Sequence, residues 1–255
     1  IFFIISVNNC CILLLFINIT FIKFIYKVIF FKKFIMHKTV QNLISIQESI
    51  KSKLLNLKNK DRIPKIIAVS KTFKIDHIRP LIEYGHLDYG ENKVQEALDK
   101  WTDVKIKNSN INLHLIGKLQ SNKVKYALKI FDYIHSLDSE KLAKKIADEQ
   151  LKQNVKPKIF IQINLGEESQ KSGIMKKDLK DFYYFSEKLG LNIIGTMCIP
   201  PLNEDTSKFF SEMSMLNFSN NLSELSMGMS SDYLNAVEFN ATYLRIGSNI
   251  FGQRD

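Results

Sequence analysis

The sequence predicts an α/β protein, a single-domain (β/α)8 (TIM) barrel with one additional helix ahead of the first strand. Apolar runs of strand length alternate with amphipathic segments of helix length from residue 66 to the C-terminus. The connections between them are short, as in a closed barrel of parallel strands. No glycine-rich turn follows the first strand, which weighs against an open, dinucleotide-binding sheet.

The additional helix comes first in the predicted domain. Between residues 37 and 59, apolar side chains recur near the helical period, and the other positions are polar. Pro64 and the polar residues just before it end this helix and lead into the first strand.

Eight strand–helix units follow. The predicted strands span residues 66–70, 87–90, 112–117, 133–137, 158–164, 192–198, 225–227 and 242–246. The predicted helices span residues 75–84, 94–101, a segment from about 121, a segment ending near 153, then 178–189, 205–218, 231–239 and a final turn after Gly247. Asp138 or Ser139 is expected to cap the fourth of these helices.

Residues 1–35 do not fit this pattern. They consist almost only of Ile, Phe, Leu, Val, Asn and Lys, and they begin without a methionine. We interpret them as a mis-translated upstream or hydrophobic extension, with Met36 as the true start and residues 36–255 as the barrel domain. A membrane anchor is the alternative, because an apolar run of this length can span a bilayer. A secretory signal is disfavoured, since no basic region precedes the apolar run.

Composition narrows the classes of function. The chain has 255 residues, of which 45% are apolar and 24% charged, and its formal net charge is +10. These values suit a globular protein that binds a small anionic ligand. No dense basic stripe with interleaved aromatic residues is present, so nucleic-acid binding is not expected. The histidines show no metal-ligand spacing, so no metal site is predicted.

Cysteine usage indicates a reducing, cytoplasmic setting. Of the three cysteines, two lie in the first 35 residues, which leaves Cys198 alone in the predicted barrel. Cys198 lies within an apolar run, so we expect a small buried residue rather than a nucleophile.

The first strand leads to a candidate reactive residue. Lys71 follows the apolar run 66–70, at the carboxyl end of the strand, where barrel proteins place their functional groups. A lysine held there is partly desolvated, so its amine can become neutral and attack a carbonyl group. Lys71 is therefore a candidate Schiff-base lysine. From this stretch alone, the alternative is a lysine that points into water.

The seventh and eighth strands lead into segments suited to phosphate. Small residues, hydroxyls and free amides occur in the segment 226–230 (SMGMS) and at Gly247-Ser248, where barrels of this class often bind phosphate. Arg245 lies in the apolar last strand and would carry a permanent charge inward, which requires a partner or a ligand. A lysine facing a phosphate cradle, with an arginine between them, meets the needs of pyridoxal 5′-phosphate (PLP). An arginine at the pyridine nitrogen keeps that nitrogen unprotonated, which weakens the ring as an electron sink.

At these positions the sequence resembles the pyridoxal phosphate homeostasis proteins, which are related in fold to the barrel domain of alanine racemase. The motifs that carry the resemblance run in order through the chain: 68–72 (AVSKT), 90–96 (GENKVQE), 114–123 (HLIGKLQSNK), 162–164 (QIN), 168–173 (ESQKSG), 225–230 (LSMGMS), 245–248 (RIGS) and 251–252 (FG). Each motif alone is weak, but together they are specific.

The resemblance implies a set of cofactor-binding residues, with Lys71 holding PLP as a Schiff base. The others are Ser226, Met227, Ser230, Gly247 and Ser248 around the phosphate, Arg245 at the pyridine nitrogen, and Asn92 and His114 lining the site. Two alternatives stay open from the residues alone, since Asn92 could simply cap the next helix and His114 could be a hydrogen-bonded core histidine.

Two departures from the family pattern are visible. Asn240 stands where a glycine is usual, and Ser248 replaces the commoner threonine. Asparagine tolerates a left-handed backbone, and serine keeps both the hydroxyl and the amide, so little effect is expected from either.

The function implied is intracellular PLP homeostasis, meaning storage, buffering or delivery of the cofactor, without robust catalysis and with no catalytic residue assigned. Alanine racemase-type enzymes add a C-terminal β-domain with a second acid/base tyrosine, and this sequence ends soon after the last strand, so two-base racemisation would lack one base. The alternative is a PLP-dependent amino-acid racemase or related enzyme of low activity. Expected partners are PLP and apo PLP-dependent enzymes, with no nucleic acid and no membrane unless residues 1–35 are genuine. The expected state is a monomer or weak dimer.

Overall fold

The computed structural model describes residues 36–57, 62–167, 172–201 and 204–253, and over these residues the chain forms a closed barrel of eight parallel strands. The strands are β1 (Lys65–Val69), β2 (Asp88–Glu91), β3 (Asn112–Leu115), β4 (Tyr133–Leu137), β5 (Lys158–Ile163), β6 (Asn192–Cys198), β7 (Glu224–Met229) and β8 (Tyr243–Ile246). The helices are α1 (Lys38–Asn56), α2 (Ile75–Tyr84), α3 (Val94–Lys107), α4 (Val124–Ala127), α5 (Glu140–Gln153), α6 (Leu179–Lys188), α7 (Thr206–Ser219), α8 (Tyr233–Glu238) and α9 (Ser248–Phe251). Short 3-10 turns precede α4 (Ser121–Lys123) and α6 (Lys176–Asp178).

The predicted fold class is confirmed, and so is the additional helix before the first strand. Two elements are longer than predicted, since α3 continues to Lys107 and β7 covers Glu224–Met229. The segment after β3 is a 3-10 turn followed by one turn of α-helix rather than a full helix. Ser139 occupies the N-cap position of α5 without a side-chain capping bond.

Barrel closure brings the first and last strands together. β1 pairs with β8 in parallel, with Ile67 opposite Arg245 and Ala68 opposite Ile246. β1 also pairs with β2, with Val69 opposite Gly90. Because parallel strands point the same way, the segments that follow β1, β2 and β8 emerge on one rim of the barrel.

Helix α1 packs on the outside of the barrel, against helices that neighbour the first and the last strand. Its buried face carries Val40, Leu43, Ile46 and Ile50, and the helix packs against α2, α8 and α9. The Asn42 side-chain amide donates to the Ile250 carbonyl at 2.9 Å, which fixes α1 to the last helix. The extra helix therefore supports the segment that follows β8.

Asn240 lies in the turn between α8 and β8 with a φ of 66°. This is the left-handed conformation expected where an asparagine replaces a glycine. The left-handed turn at Asn240 is as expected, and the small effect of the replacement stays a prediction.

Residues 1–35 lie outside the described residues, so the interpretation of that segment stays a prediction. Among the residues that are described, none of the helices combines the length and the apolar character needed to cross a bilayer.

Candidate functional site

A cavity of about 580 Å³ opens at the rim where β1, β2, β7 and β8 end. Its volume lies in the usual range of small-molecule sites, roughly 300–1,000 Å³. Of the residues predicted from the sequence, those that line it are Lys71, Asn92, Ser230, Arg245, Gly247 and Ser248. Closure of the barrel thus brings residues from the two ends of the chain to one cavity.

Lys71 reaches the cavity from the end of β1. Alternation along the strand places Ile67 and Val69 on its inner face, where Ile67 lies in the barrel interior and Val69 lines the cavity. Lys71 continues the inward series and is half-buried. It thus stands between the apolar interior and the open rim, the environment expected of a partly desolvated amine.

Two backbone amides converge on one hydroxyl across the cavity. Gly247 N–H and Asn249 N–H both donate to Ser230 Oγ, at 3.2 and 3.4 Å. The Asn249 side-chain amide also donates to the Ser230 carbonyl at 2.8 Å. Amides that point at one oxygen form a small anion-binding concavity. Sequence reasoning missed Asn249, although its place in the first turn after Gly247 was the available signal.

The turn at the end of β7 depends on a glycine. Gly228 has a φ of 88°, and a Cβ built there would lie 2.6 Å from the Ala236 Cβ in α8. The close approach of α8 to this strand therefore requires the absence of a side chain. This contact sets the path of the chain that leads to Ser230.

Arg245 points from β8 into the barrel beneath the cavity. Its side chain is 4% exposed, and it donates to Ser226 Oγ and to the Cys198 carbonyl, both at 2.7 Å. Burial lowers the pKa of the Arg245 guanidinium, but arginine remains charged in proteins. The inward charge that the sequence predicted is thus held by neutral acceptors.

A hydrogen-bonded chain continues from Ser226 through the barrel. His135 Nδ1 lies 2.9 Å from Ser226 Oγ, and His135 Nε2 lies 3.0 Å from His114 Nδ1. His114 Nε2 lies 3.0 Å from Asp88 Oδ1 at the other end of the barrel. These contacts join the arginine beneath the cavity to a carboxylate near the opposite rim.

The partners in this chain fix the proton positions. Burial lowers the pKa of both His114 and His135, so each ring is neutral and has one donor and one acceptor. Burial alone would raise the pKa of Asp88, but the bond from His114 lowers it, so the carboxylate accepts. His114 therefore donates through Nε2 to Asp88 and accepts through Nδ1 from His135. His135 in turn accepts from the Ser226 hydroxyl.

Three of the residues predicted to bind the cofactor lie outside the cavity lining. His114, Ser226 and Met227 do not occur among the described residues that line the cavity. His114 and Ser226 lie in the buried polar chain, and Met227 is fully buried in the apolar core outside the barrel interior. Ser226 and Met227 are neighbours in β7, so their side chains point to opposite faces of the strand, toward Arg245 and toward the outer core. His114 has the environment of a hydrogen-bonded core histidine, which was the alternative left open by the sequence.

Cys198 is fully buried, as predicted. Burial raises the pKa of its thiol to about 12, so the group stays protonated at neutral pH. The part of this residue that serves the site is its carbonyl oxygen, which accepts from Arg245.

Ser226→Ala is expected to destabilise the protein by about 1–3 kcal/mol, because the buried Arg245 guanidinium and His135 each lose one of their two hydrogen-bond partners. Met227→Leu is the matched control on the same strand and is expected to cost less than about 1.5 kcal/mol, since it conserves apolar volume. Urea unfolding at neutral pH measures both. Equal losses in the two variants would contradict the assigned role of Ser226 as the acceptor for Arg245.

The sequence and structure are similar to those of known proteins. A family profile described as "Alanine racemase, N-terminal domain" matches residues 47–255. A pyridoxal phosphate homeostasis protein of Aquifex aeolicus is 36% identical over 200 residues, which cover 74% of this chain and 87% of that protein. One of Pasteurella multocida is 34% identical over 227 residues, covering 84% and 97%. The structure of PipY from Synechococcus elongatus with PLP bound is 33% identical, with a TM-score of 0.70, and the match covers 80% of this chain and 100% of PipY.

Proposed function

Because the chain belongs to the pyridoxal phosphate homeostasis protein family, we propose that it binds PLP in the cavity at the ends of β1, β2, β7 and β8 and serves intracellular PLP homeostasis. The observation that carries the proposal is that Lys71, Arg245 and the amides around Ser230 share one cavity. PLP combines an aldehyde, a pyridine ring and a phosphate. Lys71 is suited to the aldehyde, Arg245 to the pyridine nitrogen, and the amides around Ser230 to the phosphate.

Lys71 is the covalent anchor in this proposal. Its side chain is half-buried at the cavity, and the neutral amine is the form that attacks a carbonyl carbon. The lysine nitrogen would replace the aldehyde oxygen. That oxygen would leave as water, with the two hydrogens of the neutral amine. The product is the Schiff base predicted from the sequence.

The phosphate is assigned to the rim between β7 and β8. The amides of Gly247 and Asn249 already converge on one oxygen atom, and a phosphate oxygen accepts from the same kind of donor. Ser230 and Ser248 add hydroxyl groups on the same side of the cavity.

Arg245 is assigned to the pyridine nitrogen. Its two bonds to Ser226 and the Cys198 carbonyl hold the guanidinium at the cavity floor. A fixed positive charge there disfavours protonation of a nearby nitrogen base. Asn92 lines the cavity beyond the end of β2, where its amide can contact the ring.

Storage or delivery fits the chemistry of these groups better than racemisation. Apart from Lys71, the polar groups that line the described cavity are amides, hydroxyls and a guanidinium, which bind and orient a ligand without exchanging protons near neutral pH. Apo PLP-dependent enzymes are the recipients that delivery would require. Steady racemisation of an amino acid by the pure protein would favour the enzyme alternative.

Spectroscopic titration with PLP and with pyridoxal tests the phosphate assignment. We expect PLP to bind at least about tenfold more tightly than pyridoxal, a difference of about 1.4 kcal/mol. Ser230→Ala is expected to reduce this preference, because it removes a hydroxyl at the phosphate position. Ser223→Ala, just before β7 at its other end, is the matched control and is expected to keep the preference. Equal affinities of the unmodified protein for both ligands would contradict the phosphate site.

A further inference from the structure

The two peptide groups that flank Lys71 are both held by side chains of α3. Lys100 Nζ donates to the Ser70 carbonyl at 2.9 Å. On the other side, the Thr72 N–H donates to Glu96 Oε1 at 2.6 Å. The backbone is therefore fixed immediately before and immediately after the proposed anchor.

Lys100 joins these contacts into one cluster. Its Nζ lies 3.0 Å from Glu96 Oε1 and 3.0 Å from Glu91 Oε1. The Lys100 side chain is only 9% exposed and that of Glu91 is fully buried. The Lys100–Glu91 pair is therefore weakly screened by salt, whereas the Glu96 side chain is 25% exposed.

Glu91 is a buried carboxyl group that ties the cluster to the end of β1. Its Oε1 accepts from Ser70 Oγ at 2.7 Å and from Trp101 Nε1 at 2.9 Å, in addition to Lys100. Its Oε2 is buried and has no hydrogen-bond partner among the residues that the structure describes. A half-satisfied buried carboxyl group is unfavourable for folding, so the bonds of its Oε1 to Ser70, Trp101 and Lys100 are needed to hold it beside the end of β1.

Thr72 has an unfavourable backbone conformation. Its φ is 72°, in the left-handed region that β-branched residues avoid, at a cost of about 1–2 kcal/mol. The bond to Glu96 compensates for this strain. Burial would raise the pKa of Glu96, but the Thr72 N–H and Lys100 lower it, so the acceptor is charged at neutral pH.

We propose that Lys100 and Glu96 are positioning residues that direct Lys71 into the cavity and so promote its covalent attachment to PLP. Neither residue is among the described residues that line the cavity. Each would therefore act through the backbone on one side of Lys71. The inference rests on the proposed function, because it assumes that Lys71 attacks the aldehyde of PLP. It gives a role to Glu96, the last residue of the motif 90–96, and to Lys100, which lies outside the motifs.

The test compares two ligands of nearly the same shape. PLP carries an aldehyde that Lys71 can attack, whereas pyridoxine 5′-phosphate carries an alcohol and binds only noncovalently. In Lys100→Met, we expect the affinity for PLP to fall by about tenfold, because a displaced amine forms the covalent bond less readily. The affinity for pyridoxine 5′-phosphate is expected to stay within about twofold.

Lys105→Met is the matched control on the same helix. Lys105 is also partly buried and also forms an ion pair, with Asp132, but at the far end of α3 from Lys71. It is expected to leave the affinity for both ligands unchanged. Glu96→Gln and Glu96→Ala form a second pair, in which the amide oxygen of glutamine can still accept from Thr72 N–H and should retain more PLP affinity than alanine.

Each outcome decides the inference. An equal loss of affinity for both ligands in Lys100→Met and Glu96→Ala would overturn it, because the cluster would then only support the fold of the cavity. Unchanged affinities in both variants would overturn it as well, with the proposed function intact. Failure of the unmodified protein to bind PLP at all would instead remove the proposed function, and the inference with it.

Discussion

Replacement of Lys71 by arginine is expected to abolish covalent attachment of PLP altogether. Arginine keeps the positive charge and much of the length, but its guanidinium stays protonated and cannot attack a carbonyl group. The phosphate contacts near Ser230 would remain, so noncovalent binding should persist at the level seen with pyridoxine 5′-phosphate. Absorption spectra with PLP, before and after borohydride, measure this loss.

Lys74→Arg is the control for this prediction. Lys74 is an exposed lysine just before α2, close to Lys71 in sequence but outside the described cavity lining. It is expected to give the spectrum and the reduced product of the unmodified protein. A full yield of reduced PLP adduct in Lys71→Arg would show that another lysine is the anchor.

The largest loss of stability is expected from Gly195→Ala. Gly195 in β6 pairs with Glu224 in β7, and a Cβ at this position would lie 1.8 Å from the Glu224 carbonyl oxygen. The obstacle is backbone, so the two strands must separate to accept even one methyl group. We expect a cost of about 4 kcal/mol or more, a large share of the stability of a typical domain.

Gly190→Ala is the matched control for this prediction. Gly190 has a φ of 72°, but a Cβ there would meet only the Gln150 side-chain nitrogen, at 3.9 Å. The expected cost is about 1–2 kcal/mol of backbone strain. Urea unfolding followed by circular dichroism measures both variants, and similar losses in the two would show that β6 and β7 can adjust their spacing.

The sequence was sufficient to predict the barrel and the presence of Lys71 and Arg245 at one site. Alternation of apolar strands and amphipathic helices predicts the order of the elements, and closure of the barrel makes β1 and β8 neighbours. The motifs at the ends of these strands then fall on one rim without any knowledge of side-chain geometry.

The orientation of side chains within β7 could not be predicted in the same way. The predicted strand 225–227 already contained Ser226 and Met227, but it did not show which of the two faces inward, and both were assigned to the phosphate; the strand continues to Met229. A continued strand alternates its faces, which turns Ser226 toward Arg245 and Met227 into the outer core. Of the two serines predicted to bind phosphate in this segment, Ser226 therefore lies within the strand and Ser230 lines the cavity.

Hydrogen-bond partners that are distant in the chain could not be predicted from the sequence either. The polar chain through the barrel depends on the register of β2, β3 and β4, which sets His114 beside His135 and Asp88. The contacts of Lys100 and Glu96 with the flanks of Lys71 depend on how α3 packs against the end of β1. Neither register nor packing angle follows from hydrophobic periodicity.

Covalent trapping of PLP on the purified protein tests the central claim most directly. The protein is incubated with PLP, reduced with borohydride, digested, and the modified peptide is identified by mass spectrometry. We predict a visible absorption band that disappears on reduction, and a single pyridoxyl group on Lys71. Absence of the band, or a label spread over exposed lysines with Lys71 unmodified, would contradict the assignment of this cavity as the PLP site.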